Sequence, residues 1–387
     1  MAQRLSSSLK PLLARRTMAG LSSRPSLAIL DDYLGTSAPH FAHIPSDKLQ
    51  ITIFKDTEPP AALPDLIERL QPFDLISTMR ERTAFPRSLL SQLPNLKLLL
   101  ATGTQFETFD LAAAKELGIP IVAAPGLGRT DEITSNPPRP NIKKGGGHPT
   151  TQHTWALILA LARNVAMDDA ALKGSPGAWQ SGLATGLTGR TLGVVGLGRL
   201  GAAVARIAHL AWGMRVVCWS ASLTQDKADA MAAEVGLSAE EGIGGGKTFR
   251  AVGKDELFQS ADVVSLHYVL SARSRGLVGK PELRLMKRDA LLVNASRGPL
   301  IDQPALLDAL EQGRIGGVAL DTFDVEPLLP DSPWRRADYW GKDGRSRVLT
   351  TPHMGYVDEG LMNTWYAETA ENVDRWLADK DLLHRLV

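Results

Sequence analysis

Three short stretches in the second half of the chain each set a reactive side chain among turn residues. They are Asn294-Ala295-Ser296-Arg297-Gly298, Asp321-Thr322-Phe323-Asp324-Val325-Glu326-Pro327 and Thr351-Pro352-His353-Met354-Gly355. Each follows an apolar, β-rich run: DALLV, GGVAL and RVLT. Side chains just past the carboxyl ends of parallel strands face the crevice where such sheets take ligands. Singly, the three have ordinary explanations: a surface charge, a helix-cap acid and a satisfied loop histidine. Together their chemistry is coherent. Arg297 offers a planar fork of donors to a carboxylate and polarises a neighbouring carbonyl. His353, of a residue type that titrates near working pH, passes a proton to or from the carbonyl oxygen. Glu326 accepts from the other ring nitrogen, fixes the tautomer and stabilises the charged ring, as the third member of a triad does. Reduction of a 2-oxo acid needs this set and a source of hydride.

The source is read from Gly196-Leu197-Gly198-Arg199-Leu200-Gly201, a G-x-G-x-x-G match between the strand-like TLGVV and the Ala-rich, helix-like GAAVARIAHLAW. In that context the first glycine permits a tight turn. The second lets backbone approach a pyrophosphate, and the third lets helix and strand pack closely. The helix N-terminus then turns its positive dipole end on the phosphates. Many such sites carry an acid about 20 residues on, which grips the ribose hydroxyls. The next strand, MRVVCW, ends instead in Ser220, with Ser222, Thr224, Asp226 and Lys227 close behind. That leaves NAD and NADP both open as cofactors.

These residues must be carried by alternating strands and helices. Strands are predicted at Ser26–Asp31, Gln50–Phe54, Asp74–Ser77, Lys97–Ala101 and Pro120–Ala123, with helices such as Leu63–Leu70 and Leu111–Leu117 between them. His153–Arg163 reads as one buried helix. A second series opens at Thr191, with strands at Leu192–Val195, Arg215–Trp219, Val263–Leu266, Leu291–Asn294, Gly317–Ala319 and Val348–Thr350, and Glu359–Leu377 closes the chain as a helix. Such alternation means βαβ units and parallel sheets. Three stretches interrupt it: Leu127–Thr150, rich in Pro and Gly and read as a loop; Ala239–Thr248, whose GGGK lacks the context of a phosphate loop; and the polar Leu328–Arg347, which carries Trp334, Tyr339 and Trp340.

The chain has 387 residues, enough for two domains, and 43 basic against 42 acidic side chains. That balance gives no footprint for nucleic acid or an anionic membrane surface. The single cysteine, Cys218, excludes an intrachain disulfide and a cysteine-built zinc site, and no metal is expected. No apolar run approaches the ~20 residues needed to span a bilayer. The first 30 residues contain Arg4, Lys10, Arg15, Arg16, Arg24, six serines and no acid. They resemble a mitochondrial transit peptide, with a plain basic tail over residues 1–25 of a cytoplasmic protein as the other reading.

On the motifs GLGRLG (196–201), SADVVSLH (260–267), RDALLVNASRG (288–298), LDTFDVEP (320–327) and TPHMG (351–355), the chain resembles the D-isomer-specific 2-hydroxyacid dehydrogenases. The resemblance covers roughly residues 26–126 and 151–377. It implies an α/β fold of two doubly wound parallel-sheet domains with the cleft between them. A Rossmann dinucleotide-binding domain (156–353) would be inserted in a flavodoxin-like substrate domain (26–155 and 354–387). It makes Arg297 the substrate arginine, Glu326 the partner of the histidine and His353 the acid/base. Gly196, Gly198, Arg199, Leu200, Gly201 and Ser220 would line the dinucleotide, with Tyr268, Ala295, Arg297 and Asp321 towards its nicotinamide half. Backbone amides around Thr102, Gly103 and Thr104 would hold the substrate carboxylate, and a homodimer is implied. The chain departs from the pattern in the 24 residues Leu127–Thr150, in Gln152 where many members have Glu, and in a long spacer between Glu326 and His353. The expectation is hydride transfer between a nicotinamide dinucleotide and a small 2-oxo acid or D-2-hydroxy acid. A non-catalytic NAD(H)-sensing scaffold, or a formate- or phosphite-type dehydrogenase, are the alternatives. The scaffold has no use for an acid/base with its orienting carboxylate. Arg80 and Arg82, past another strand, are candidates for a second substrate carboxylate, although charges on a loop are more often simply solvated.

Overall fold

A computed structural model describes residues 24–58, 62–103, 106–131, 133, 148–180 and 182–387. Expectations for most of the basic N-terminal stretch, for Thr104 and for residues 134–147 fall outside that set. The chain divides into two compact units, Met1–Pro138 with Glu359–Val387, and Arg139–Asp358.

The first unit runs β1 (Ser26–Ile29), α1 (Ala38–Phe41), β2 (Gln50–Ile53), α2 (Leu63–Leu70), β3 (Leu75–Thr78), α3 (Arg87–Leu90), β4 (Leu98–Thr102), α4 (Leu111–Leu117) and β5 (Ile121–Ala124). Its sheet is parallel throughout, in the order β2-β1-β3-β4-β5. Strands β3, β4 and β5 are buried at every position, which suits continuous apolar runs covered on both faces. Helix α4 shows why a helix forms where the periodicity predicts one. Asp110 caps its start by accepting from the Ala113 amide at 2.8 Å, and Gly118 ends it at φ +68°.

The second unit opens with α5 (Pro149–Ala162) and α6 (Val165–Gly174). It continues β6 (Thr191–Val195), α7 (Arg199–Trp212), β7 (Arg215–Trp219), α8 (Gln225–Glu234), β8 (Arg250–Ala251), α9 (Lys254–Ser260), β9 (Val263–Leu266), α10 (Lys280–Leu285), β10 (Leu291–Asn294), α11 (Gln303–Glu311), β11 (Gly317–Leu320) and β12 (Arg347–Thr350). Its seven strands are parallel, in the order β12-β11-β10-β9-β6-β7-β8. The order reverses at β6, between β7 and β9, which is the switch point where doubly wound sheets take ligands. Helix α12 (Glu359–Leu377) then returns to the first unit. Two doubly wound parallel-sheet units are therefore present, as the family resemblance implied. No helix among the described residues is long and apolar enough to cross a membrane.

Three boundaries move. A division at 155/156 would cut α5, which packs on β10, β11 and α7; the helix belongs whole to the second unit, and the return falls at 358/359 rather than 353/354. Helix α5 also begins inside the segment read as loop, with the His148 ring accepting from the Thr150 amide at 3.2 Å. At the other end of that segment, Leu127–Thr130 is fastened to α12. The Glu368 carboxylate accepts from the amides of Gly126 (2.8 Å), Leu127 and Gly128 (2.5 Å), and Glu371 accepts from the Thr130 amide at 2.7 Å. Burial pushes the Glu368 carboxyl above its ordinary range, against the pull of the three amides. The stretch 328–347 is not a bare polar excursion either, because Trp334 and Trp340 are buried and stack at 6.2 Å against the core.

Candidate active site

The turns after β10, β11 and β12 lie side by side because their strands are neighbours in the sheet. Arg297 and Glu326 are brought closer by Gly298, where a Cβ would sit 2.1 Å from the Phe323 carbonyl carbon. Only glycine lets these two loops touch. The Arg297 guanidinium is half-buried and one branch donates to the Ser296 carbonyl at 2.8 Å. In the second loop the Phe323 amide donates to Glu326 Oε1 at 2.8 Å, which fixes the carboxylate. Its Oε2 lies 2.5 Å from His353 Nδ1.

That contact settles the tautomer. A carboxylate accepts, so Nδ1 carries hydrogen, and Nε2 of the neutral ring is the nitrogen able to take a proton. His353 sits in the left-handed region at φ +55°, with its amide donating to the Asp321 carbonyl at 2.8 Å and its ring edge-on to Tyr356 at 5.3 Å. A second histidine past a neighbouring strand is unsuited to the proton-transfer role. His267 is half-buried, burial pulls its pKa down to about 4, and Nε2 pairs with the Ser265 hydroxyl at 2.9 Å.

At β6 the glycine turn meets each requirement of its motif. Gly196 adopts φ +98°, and a Cβ there would lie 2.5 Å from the His267 carbonyl oxygen. A Cβ on Gly201 would lie 2.2 Å from the Gly196 carbonyl oxygen. Gly198, by contrast, faces open space, and it leads into the fourteen-residue α7, whose first helical residues are Arg199 and Leu200. A bare backbone facing outward beside a helix N-terminus is the cradle a pyrophosphate needs, so these residues fit a dinucleotide. The Gly196 amide donates to the Trp219 carbonyl at 2.8 Å, which places Ser220 next to the turn. Asp226 lies in the first turn of α8, and Lys227 Nζ donates to the Ser222 carbonyl at 2.7 Å.

Several expected roles are corrected. The Tyr268 ring stacks on Trp219 at 5.9 Å and its hydroxyl accepts from the Ala221 amide at 3.2 Å, both at the β7 end. Ala295 sits in the turn after β10. Asp321 is fully buried, its carboxylate spent on His153, Thr351, Met354 and Gly355. In the first unit the Gly103 amide donates to the Ala124 carbonyl at 2.8 Å and is not available for a substrate carboxylate. The Thr102 hydroxyl is likewise internal, donating to Thr78 O at 3.1 Å and accepting from the Arg80 amide at 2.8 Å. Arg80 and Arg82 are not solvated loop charges. Arg80 is 13% exposed and lies over the Trp365 ring at 5.4 Å, and Arg82 covers the Tyr33 ring at 4.2 Å. GGGK is no phosphate cradle, because Lys247 is paired with Asp229 at 2.8 Å and with Glu240. Among the described residues, no cluster of His, Cys, Asp and Glu is arranged to hold a metal. His153 was missed by the sequence reasoning, since a histidine opening an apolar helix carries no signal of where its ring points.

Residues 155–355 match the family model described as D-isomer specific 2-hydroxyacid dehydrogenase, NAD binding domain. The chain is 35% identical to glyoxylate reductase of Aeropyrum pernix over 63% of its own length and 65% of that protein. It is 30% identical to D-3-phosphoglycerate dehydrogenase of Methanocaldococcus jannaschii over 81% of its length, which spans only 51% of that relative. Its fold superposes on phosphoglycerate oxidoreductase from Vibrio cholerae with a TM-score of 0.72 and 30% identity, covering 92% of this chain and 99% of the other. With the glycine turn, the arginine and the carboxylate–histidine pair in place, the chain belongs to the D-isomer-specific 2-hydroxyacid dehydrogenase family.

Proposed function

We propose that the protein interconverts a small 2-oxo acid and its D-2-hydroxy acid with NAD(H) or NADP(H). The observation that carries this reading is the 2.5 Å contact between Glu326 Oε2 and His353 Nδ1, in a turn beside the one that bears Arg297. Bound nicotinamide supplies the hydride for reduction and accepts it in oxidation. Arg297 holds the substrate carboxylate with its fork and draws electron density towards the carbonyl oxygen. His353 Nε2 delivers a proton to that oxygen and takes one from the hydroxyl in the reverse direction. Glu326 keeps Nδ1–H oriented throughout and stabilises the imidazolium between turnovers. A 2-oxo acid plus hydride plus proton gives the 2-hydroxy acid, so the reaction balances.

Oxidation of NADH and of NADPH with glyoxylate, hydroxypyruvate, pyruvate, phenylpyruvate and branched 2-oxo acids tests the reading. Turnover of at least one, with a D-configured product wherever the product is chiral, is expected. Silence towards all of them, with formate or phosphite oxidised instead, overturns it. The homodimer implied by the family is supported by α6, which buries none of its residues, and by the exposed Val165, Leu172, Trp179 and Leu183 around it. Sedimentation equilibrium should return twice the chain mass.

A further inference from the structure

We propose that His153 is a positioning residue for the acid/base His353, acting through the Asp321 carboxylate and the Thr351 hydroxyl. The inference rests on the reading of His353 as the proton carrier. His353 occupies a left-handed backbone conformation, φ +55°, which a non-glycine residue keeps only when its surroundings over-determine it. The over-determining group is Asp321. Its Oδ1 accepts from Thr351 Oγ1 at 2.6 Å, from the Met354 amide at 2.7 Å and from His153 Nε2 at 3.1 Å, and its Oδ2 accepts from the Gly355 amide at 2.9 Å. The Asp321 carbonyl takes the His353 amide at 2.8 Å. The carboxylate therefore grips the turn on both sides of the histidine.

Three of those four side-chain contacts come from the turn itself. The fourth comes from α5, a different element, and makes the grip three-dimensional. His153 Nε2 lies 3.0 Å from Thr351 Oγ1 as well. The one hydroxyl hydrogen of Thr351 is already given to Asp321, so His153 Nε2 must itself carry hydrogen and donate to both oxygens. A fully buried carboxylate depends on such donors to remain in place. Burial alone would raise Asp321; the His153 and Thr351 hydrogen bonds outweigh it and hold the carboxyl below its ordinary range. Packing adds to the grip, since a Cβ on Gly355 would lie 3.1 Å from Asp321 Oδ2 and 3.5 Å from Thr150 Cγ2 on the same helix. Without the His153 donor the Thr351 hydroxyl and the carboxylate gain freedom, and the turn can carry the His353 ring away from its productive angle. The glycine turn at β6 shares none of these contacts.

His153→Ala should lower kcat about 10- to 100-fold, the cost of misplacing a catalytic group by roughly an ångström. NADH affinity, read by fluorescence quenching, and KM for the 2-oxo acid should stay within about threefold of wild type. His153→Gln keeps an N–H at similar reach and should return kcat to within about threefold of wild type. Thr351→Val, which keeps the branched shape without the hydroxyl, should reduce kcat on its own and decides the matter if His153→Ala fails to fold. The proposal is overturned if His153→Ala keeps more than half the wild-type kcat, if Gln is no better than Ala, or if Thr351→Val is fully active. Failure of the underlying reading looks different: wild type would reduce no 2-oxo acid, or His353→Asn would stay active. An inactive His353→Asn beside a fully active His153→Ala sinks the positioning role alone.

Discussion

His353 illustrates how much a residue's role depends on what fixes its backbone. Its ring chemistry needs Glu326 on Nδ1, 2.5 Å away, but its aim is set by a φ of +55° and by the Asp321 carbonyl on its amide. Replacing His353 with Asn removes the proton carrier and leaves the glycine turn untouched. We expect kcat to fall on the order of 10²- to 10⁴-fold, the usual loss for a general acid/base, with NADH binding nearly unchanged. Steady-state rates paired with a fluorescence titration check both halves. A variant that keeps more than about a third of wild-type kcat would remove His353 from the mechanism.

The ends of elements decide cofactor choice and domain integrity. β7 ends beside the Gly196 turn, with Ser220 where an acid would favour NAD by accepting ribose hydroxyls and repelling a 2′-phosphate. A carboxylate about 4 Å from one phosphate charge costs roughly 4 kcal/mol at an effective dielectric near 20. Ser220 removes that repulsion. We therefore expect kcat/KM with NADPH within about tenfold of NADH, ~1.4 kcal/mol, and a strong NADH preference after Ser220→Asp. A hundredfold rejection of NADPH by the unaltered protein would refute the assignment. In α12, Glu368 is the counterpart for stability. Glu368→Gln keeps one accepting oxygen but turns a donor on the amides of 126–128, and should cost about 1–3 kcal/mol in urea unfolding. Because burial raises the folded-state pKa of Glu368, its proton stabilises the fold most fully below the ordinary glutamate value and that contribution is lost as pH rises through the raised value. The gap between wild type and Gln should accordingly be widest at low pH and narrow as pH rises above about 4.3. A gap independent of pH would contradict the assignment of the shift.

At the scale of the whole molecule, the chain consists of two units, each with its own parallel sheet and its own core. The long segment read as an insertion is anchored at both ends: Gly126–Thr130 on the α12 carboxylates, and His148–Thr150 at the start of α5. Exchanging 134–147 for a Gly-Ser sequence of equal length should leave Tm unchanged and kcat within about twofold, since neither anchor is touched. Extending the exchange to Gly126–Thr130 should lower Tm. Differential scanning fluorimetry on the two variants separates the cases. Equal destabilisation by both would assign the middle of the segment a structural role.

The sequence by itself determined the strand–helix alternation, the two sheets and which side chains to propose for the chemistry. Those features are local: a β-branched run, an apolar period, a G-x-G-x-x-G between strand and helix. Helices α2, α4 and α12 fall on the residues their periodicity marks. His353, Glu326 and Arg297, proposed as proton donor, orienting acid and substrate arginine, were legible because each follows a parallel strand, and such ends converge. Only the tertiary structure decided where the side chains go once the strands are in register. The β11–β12 pairing puts Asp321 beside Thr351 and directs its carboxylate onto the histidine turn, while the packing of α5 brings in His153. The β4–β5 pairing spends the Gly103 amide that a substrate was expected to use. Glu368 reads in sequence as one more charge on an amphipathic helix, and becomes a clamp because residues 126–128 lie against that face. Hydrogen bonds between elements distant in sequence leave no period and no spacing. They exist only after the sheets have fixed which ends are neighbours.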